Sequence, residues 1–202
     1  MIPYLIFKIH RVKIRLLSIY TKTLLKLKKV EYGRKLIVLF PPIIIKHKNA
    51  KIVLDDNVTL NSDKKHYHLG MFSCVKLVAD KKNSLIKIGS NTRVNGSCIH
   101  AFKKIEIGKN CLIAANTQII DSNGHLLSFD NPENRINTQD EGKPISIEDN
   151  VWIGTGCIIL GGTTIEKGAV IAANSVVKGL VPSNSLYGGN PAKLIKKYEI
   201  KK

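Results

Sequence analysis

The chain is predicted to fold as a parallel β-helix, an all-β solenoid wound in six-residue units. From Ile147 onward, Ile153, Ile159, Ile165, Ile171 and Val177 follow at steps of six, all of them β-branched aliphatics. Two residues before five of them stands a smaller residue: Val151, Cys157, Thr163, Ala169 and Ser175. A period of six fits neither an amphipathic helix nor an alternating strand. It fits a coil in which each unit is one short flat side plus a corner. The aliphatic then points to the axis and the smaller residue fills the space beside it.

At the N-terminus, residues 1–30 carry eight Lys and Arg and no Asp or Glu. Among them stand Ile2, Leu5, Ile6, Phe7, Ile9, Leu16, Leu17, Leu24 and Leu25. Lys8, Arg11, Lys13 and Arg15 interrupt every window of about 20 residues, so no bilayer span is expected. An uncharged apolar stretch of the secretory-signal kind is missing as well. Two readings stay open for this segment. It forms a basic amphipathic helix in peripheral contact with an anionic membrane surface, or it docks on its own domain or neighbouring subunits with a solvated basic face. The expected organisation is a basic segment over 1–49, a β-helix over 50–190 and a basic tail over 191–202.

Within the β-helix the columns run backwards with decreasing clarity. Ile107, Ile113 and Ile119 keep the step, with Cys111 and Thr117 as small residues; Ile88 and Val94 keep it with Thr92. Leu54, Val58 and Leu60 are a fainter echo. Gly89, Gly108, Gly154, Glu148, Glu166 and Asp55 follow the aliphatics, where a tight corner favours Gly or a short polar side chain. Ile88 to Ile107 is nineteen residues, one more than three units, which predicts a one-residue bulge there. His100, six after Val94, then falls in the aliphatic column and reads as a structural histidine. Ile119 to Ile147 is twenty-eight, so the polar segment 121–144 is expected to loop out of the coil.

Net charge is +17. Stacked repeats do not need a spherical core, so few aromatics are no obstacle. The basic residues concentrate at the two ends without a recognisable nucleic-acid motif, which argues against a nucleic-acid partner. Cys74, Cys98, Cys111 and Cys157 form no CxxC pair and have no metal-like spacing, so no metal is expected. Cys111, Cys157 and Cys98 read as reduced core fillers, in keeping with a cytosolic compartment.

In the loop DSNGHLLSFDNPENRINTQDEGKP the one histidine, His125, lies among turn-forming residues, exposed or in a cleft. Imidazole is the side chain best suited to take a proton at neutral pH. His10, His47, His66 and His68 sit in basic or Lys-rich sequence and are weaker candidates. An ordinary surface histidine is the competing reading of His125.

The segment ISIEDNVWIGTGCIILGGTTIEKGAVIAANSVV, followed by YGGNPAKLIKK, resembles the hexapeptide-repeat acyltransferases. SNGH, then RIN, then VWIG resembles the branch that O-acetylates bacterial capsule and polysialic acid. The resemblance covers roughly residues 50 to 196 and implies a left-handed β-helix, an exception to the right-handed crossover. It also implies a homotrimer with acetyl-CoA bound between neighbouring subunits. His125 would be the general base toward a sugar hydroxyl, and Trp152 would line the site near thioester and acceptor. Gly154, Thr155, Ala173, Lys178, Lys193 and Lys196 would contact the cofactor, with Lys193 and Lys196 facing its phosphates. Backbone N–H groups of the turn Gly154–Thr155–Gly156 would hold the oxyanion, and Asn95 would touch the acceptor. Asp121, Asp130 and Glu133 are candidates to orient His125. The implied activity is O-acetylation of a bacterial surface polysaccharide (capsular, O-antigen or sialic-acid-containing) or its precursor, on the cytoplasmic side, with peripheral contact at the inner membrane. N-acetylation of an amino sugar and a non-catalytic scaffold are the alternatives.

Overall fold

The computed structural model describes the backbone of residues 2–199 and the side chains of residues 12 and 14–199. The side chains of Ile2, Leu5, Ile6, Phe7, Lys8, Ile9, Arg11 and Lys13 lie outside the described residues.

Short strands follow one another around a triangular coil, and each strand pairs in parallel with its counterparts one turn before and after. The first face stacks Glu31–Tyr32, Lys51–Leu54, Leu85–Ile88, Lys104–Ile107, Ile145–Ile147, Thr164–Ile165 and Leu180–Val181. The second stacks Ile37–Leu39, Thr59–Asn61, Arg93–Asn95, Leu112–Ile113, Trp152–Ile153, Val170–Ile171 and Ser185–Gly189. The third stacks Ile43–Lys46, Lys76–Ala79, Cys98–His100, Gln118–Ile120, Ile158–Leu160 and Val176–Val177. The fold is the expected left-handed parallel β-helix.

The six-residue step survives because each aliphatic sits directly above its equivalent. Ile113 pairs with Ile153, and Ile153 with Ile171; Ile119, Ile159 and Val177 form the matching stack on the third face. All six are at most 1% exposed, so one continuous column of branched side chains runs along the axis. Small residues complete it for a second reason. The hydroxyls of Thr92, Thr117 and Ser175 donate to the carbonyls of Gly108, Gly154 and Ala172. The thiols of Cys111 and Cys157 do the same toward Glu148 and Ala172. A corner carbonyl that turns inward is thus paired rather than orphaned.

The corners differ from expectation. Backbone in the left-handed region falls two residues after the predicted position, at Asn57, Asn91, Asn110 and Asn150 with φ of 56–60°. Asparagine tolerates this region because its short amide bonds locally. Here the amides bond one another up the stack: Asn57 donates to Asn91, Asn91 to Asn110, and Asn110 to Asn150, at 3.0–3.1 Å. Gly168 takes the next place, where a side chain would strike the Asn184 amide.

The single bulge also resolves differently. Val94 to the buried Ile99 is five residues, one short of a unit, and Ile99 to Ile107 is eight, two over. Ile99 therefore takes the axial place and His100 points off it. The His100 Nε2 lies 3.1 Å from Asp80 Oδ1, and its ring meets Phe102 edge-on at 5.1 Å. Cys98 likewise lies on the outward side of its strand and is only half-buried, unlike Cys111 and Cys157.

Both ends depart from the expected boundaries. The helix Ile2–Leu27 ends well before residue 49, and residues 31–46 already make the first coil. Leu25 is fully buried with Val30, Leu36 and Val38, so the helix plugs the open end of the coil. The basic tail is not a free tail: Ala192–Lys197 folds back antiparallel on Ser185–Gly189. Solenoids need such caps because their end coils would otherwise expose core.

Candidate active site

The polar segment 121–144 leaves the coil after Ile120 and returns at Ile145. Its base is pinned by Asp121, which is 1% exposed. The Asp121 carboxylate accepts the backbone N–H groups of Phe102, Lys103 and Lys104 at 2.7–2.8 Å. Its carbonyl accepts Lys143 N–H at 2.6 Å, closing the loop's neck. Asp140 holds the near side, accepting the Ser122 hydroxyl and the Asn123 N–H.

His125 stands on this frame. Its Nδ1 is 2.9 Å from the Thr138 carbonyl oxygen. A carbonyl only accepts, so Nδ1 carries a hydrogen, and in the neutral ring Nε2 is the nitrogen with the lone pair. The Thr138 hydroxyl accepts Leu126 N–H and donates to the Arg135 carbonyl, which fixes the strand of loop that holds the ring. None of the three acids considered as orienters does this work: Asp121 serves the neck, and neither Asp130 nor Glu133 bonds the imidazole. His125 and Lys178 line one cavity of about 330 Å³, together with Asp140, Gly142, Lys143 and Leu160.

A larger cavity of about 980 Å³ runs along the second face. Asn95, Trp152, Gly154, Thr155 and Ala173 all line it. Trp152 is 53% exposed, its indole laid outward beside Leu112 and Val170 on the flanking strands. Gly154 N–H is already spent on Ile171 and Gly156 N–H on Ala115. Among the described residues, Thr155 N–H alone of the three has no backbone acceptor. The Thr155 hydroxyl is itself committed to the Ala115 carbonyl at 2.7 Å. Asn95 is 4% exposed, with its amide oxygen taken by Asn61 and its amide nitrogen bonded to the Ile113 carbonyl. Its side chain holds coils together, which leaves little for an acceptor.

The other wall of this cavity comes from outside the repeat columns. His66, Tyr67, His68 and Leu69 belong to a segment that leaves the second face after Asn61 and rejoins the coil at Lys76. His66 Nδ1 lies 2.9 Å from the carboxylate of the buried Asp63. Arg93 also lines the space, and no Asp or Glu does. The signal was present: Leu60 to Leu77 is seventeen residues where one unit takes six.

The two cavities share no lining residue. Lys193 and Lys196 line neither; both are exposed on the edge strand, with Lys196 Nζ 4.8 Å from the Tyr198 ring centre. Burial pushes the thiols of Cys98, Cys111 and Cys157 up, which disfavours thiolate chemistry. Among the described residues no group of three His, Cys, Asp or Glu is arranged to hold a metal.

A bacterial transferase hexapeptide profile of six repeats matches residues 144–179. A putative lipopolysaccharide biosynthesis O-acetyl transferase of Escherichia coli, WbbJ, is 35% identical over 120 residues, covering 56% of this chain and 61% of that protein. A putative acetyltransferase of Schizosaccharomyces pombe is 44% identical over 95 residues, 47% of this chain and 44% of that protein. The chain thus spans about half the length of these curated relatives. A hexapeptide-repeat-containing acetyltransferase of Vibrio cholerae, solved with acetyl coenzyme A, superposes with a TM-score of 0.57 at 25% identity, covering 86% of this chain and 74% of that one. Repeats, fold and relatives agree in their likeness to the hexapeptide-repeat acetyltransferases.

Proposed function

We propose that the chain is an acetyl-CoA-dependent O-acetyltransferase acting on a sugar hydroxyl of a bacterial surface polysaccharide or its precursor. The observation that carries this reading is the His125 ring, whose Nδ1–H is held by a backbone carbonyl so that Nε2 is a base. The similar Vibrio protein is solved with acetyl coenzyme A, and the similar Escherichia coli protein is named a putative lipopolysaccharide biosynthesis O-acetyl transferase.

Nε2 of His125 takes the acceptor hydroxyl proton as that oxygen bonds the acetyl carbonyl carbon. Base assistance of this kind is worth about 10²–10⁴-fold. The tetrahedral oxyanion receives Thr155 N–H. The C–S bond then breaks, and the departing coenzyme A thiolate takes the proton back from the imidazolium. Trp152 supplies an apolar platform against the acceptor, with Gly154 and Ala173 lining the donor channel. Lys178, Lys193 and Lys196 offer cations to the coenzyme A phosphates. In one chain the base and the Trp152 cavity have no lining residue in common, which supports a homotrimer whose loop reaches a neighbour's second face. Acetyl-CoA supply and four free thiols suit the cytoplasmic side of the membrane.

The test is release of free coenzyme A from acetyl-CoA in the presence of neutral, acidic and amino sugars, with the product challenged by alkaline hydroxylamine. Hydroxyl-dependent release giving a hydroxylamine-labile ester supports the reading. A stable amide formed only from the amino sugar moves the activity to N-acetylation. No turnover with any acceptor leaves a scaffold.

A further inference from the structure

The helix Ile2–Leu27 has two unlike sides. On one, Thr21 and Leu25 are buried against the first coil. On the other, Val12, Leu16, Ile19, Tyr20 and Leu27 are all 54–74% exposed. At 3.6 residues per turn, Val12, Leu16, Ile19, Thr23 and Leu27 succeed one another by three or four and make one stripe. That stripe points away from the coil. Arg15, Lys22 and Lys26, spaced by seven and four, run along one flank of it. No acidic residue precedes Glu31, so these cations have no carboxylate on their own helix.

A helix turned to water would not line up large apolar side chains beside a row of cations. A bilayer surface accommodates both. Apolar side chains enter the boundary between headgroups and acyl chains, and the basic flank sits at the level of the lipid phosphates. Among the described residues no helix is long and apolar enough to cross a membrane, so this one would lie in the plane. A second copy packed stripe to stripe is the poorer occupant, because that pairing brings basic flanks together with no acid between them.

We propose that this helix seats the protein on an anionic membrane surface. The strand it packs on, Ile37–Leu39, also lines one end of the larger cavity. Seating the helix therefore brings that cavity beside the lipid, where a lipid-carried glycan would meet it; this last step rests on the transferase reading.

Sedimentation of the full chain with vesicles tests the seat without any turnover, so its failure is separate from failure of the enzyme reading. Vesicles of phosphatidylcholine alone and of phosphatidylcholine with phosphatidylglycerol are the probes. Leu16→Glu/Ile19→Glu is compared with Lys87→Glu, which changes net charge equally on the β-helix. Circular dichroism and gel filtration check that each variant folds, with Leu16→Ser/Ile19→Ser as the milder pair. The wild type should co-sediment with the anionic vesicles, and the stripe variants should lose about tenfold in partition while Lys87→Glu does not. Equal loss in both, or no co-sedimentation of the wild type, overturns the proposal. So does a stripe variant that instead changes the oligomeric state.

Discussion

In the proposed reaction His125 acts through Nε2, and the Thr138 carbonyl favours the tautomer that leaves that nitrogen unprotonated. Side chains commonly named as orienters of histidine are carboxylates, so the loop's acids were natural candidates from sequence. A backbone carbonyl leaves no mark in composition, which is why the histidine was legible and its partner was not. The same blindness affected Asn95, whose amide is consumed by Asn61 and Ile113. It affected the oxyanion turn too, where the coil's own ladder takes Gly154 and Gly156. Replacing His125 with Ala should lower kcat by about 10²–10⁴-fold while the KM for acetyl-CoA stays near its original value. Because the side chain is exposed, the melting temperature should not move. A collapse of acetyl-CoA binding instead would assign the residue to the donor.

The elements are short, often two residues, and hold only by stacking. Ile153 lies between Ile113 and Ile171 with 0% exposure, so Ile153→Ala should cost about 2–5 kcal/mol by denaturant unfolding. Asparagines at the corners work through conformation as well as bonding. Asn110 at φ 56° accepts from Asn91 and donates to Asn150. Asn110→Ala should therefore destabilise by about 1–2 kcal/mol. Asn110→Gly, which keeps the backbone freedom, should cost less, and equal losses would assign the effect to the amide bonds alone. Strict repetition made the C-terminal coils readable, since every unit from Ile153 to Val177 has both columns. The first coil escaped notice although Val38 to Ile44 keeps the six-step, because Leu36 and the Ile43–Lys46 run mask the small-residue column. Insertions at corners shift the frame without altering the fold, so the five-then-eight spacing around Ile99 passed for one bulge.

At the scale of the whole molecule, the solenoid separates what the proposed reaction must bring together. The loop with His125 and the face with Trp152 line different cavities of one chain. A site completed across subunits predicts complementation. His125→Ala and Trp152→Ala chains, each inactive, should regain about one quarter of wild-type activity when co-assembled, the statistical share of sites with both halves intact. No recovery would confine the site to a single chain. The sequence conveyed this larger arrangement only through its family resemblance, since no period or spacing tells which faces of neighbouring coils meet.

Donor binding is the point on which the rest turns, and it needs no knowledge of the acceptor. The decisive measurement is a titration of the purified chain with acetyl-CoA and coenzyme A, alongside Lys193→Glu/Lys196→Glu. Saturable binding of both ligands, weakened at least tenfold in the double variant as about 1.4 kcal/mol of lost phosphate attraction requires, is the result expected. A folded oligomer that binds neither ligand would contradict the account.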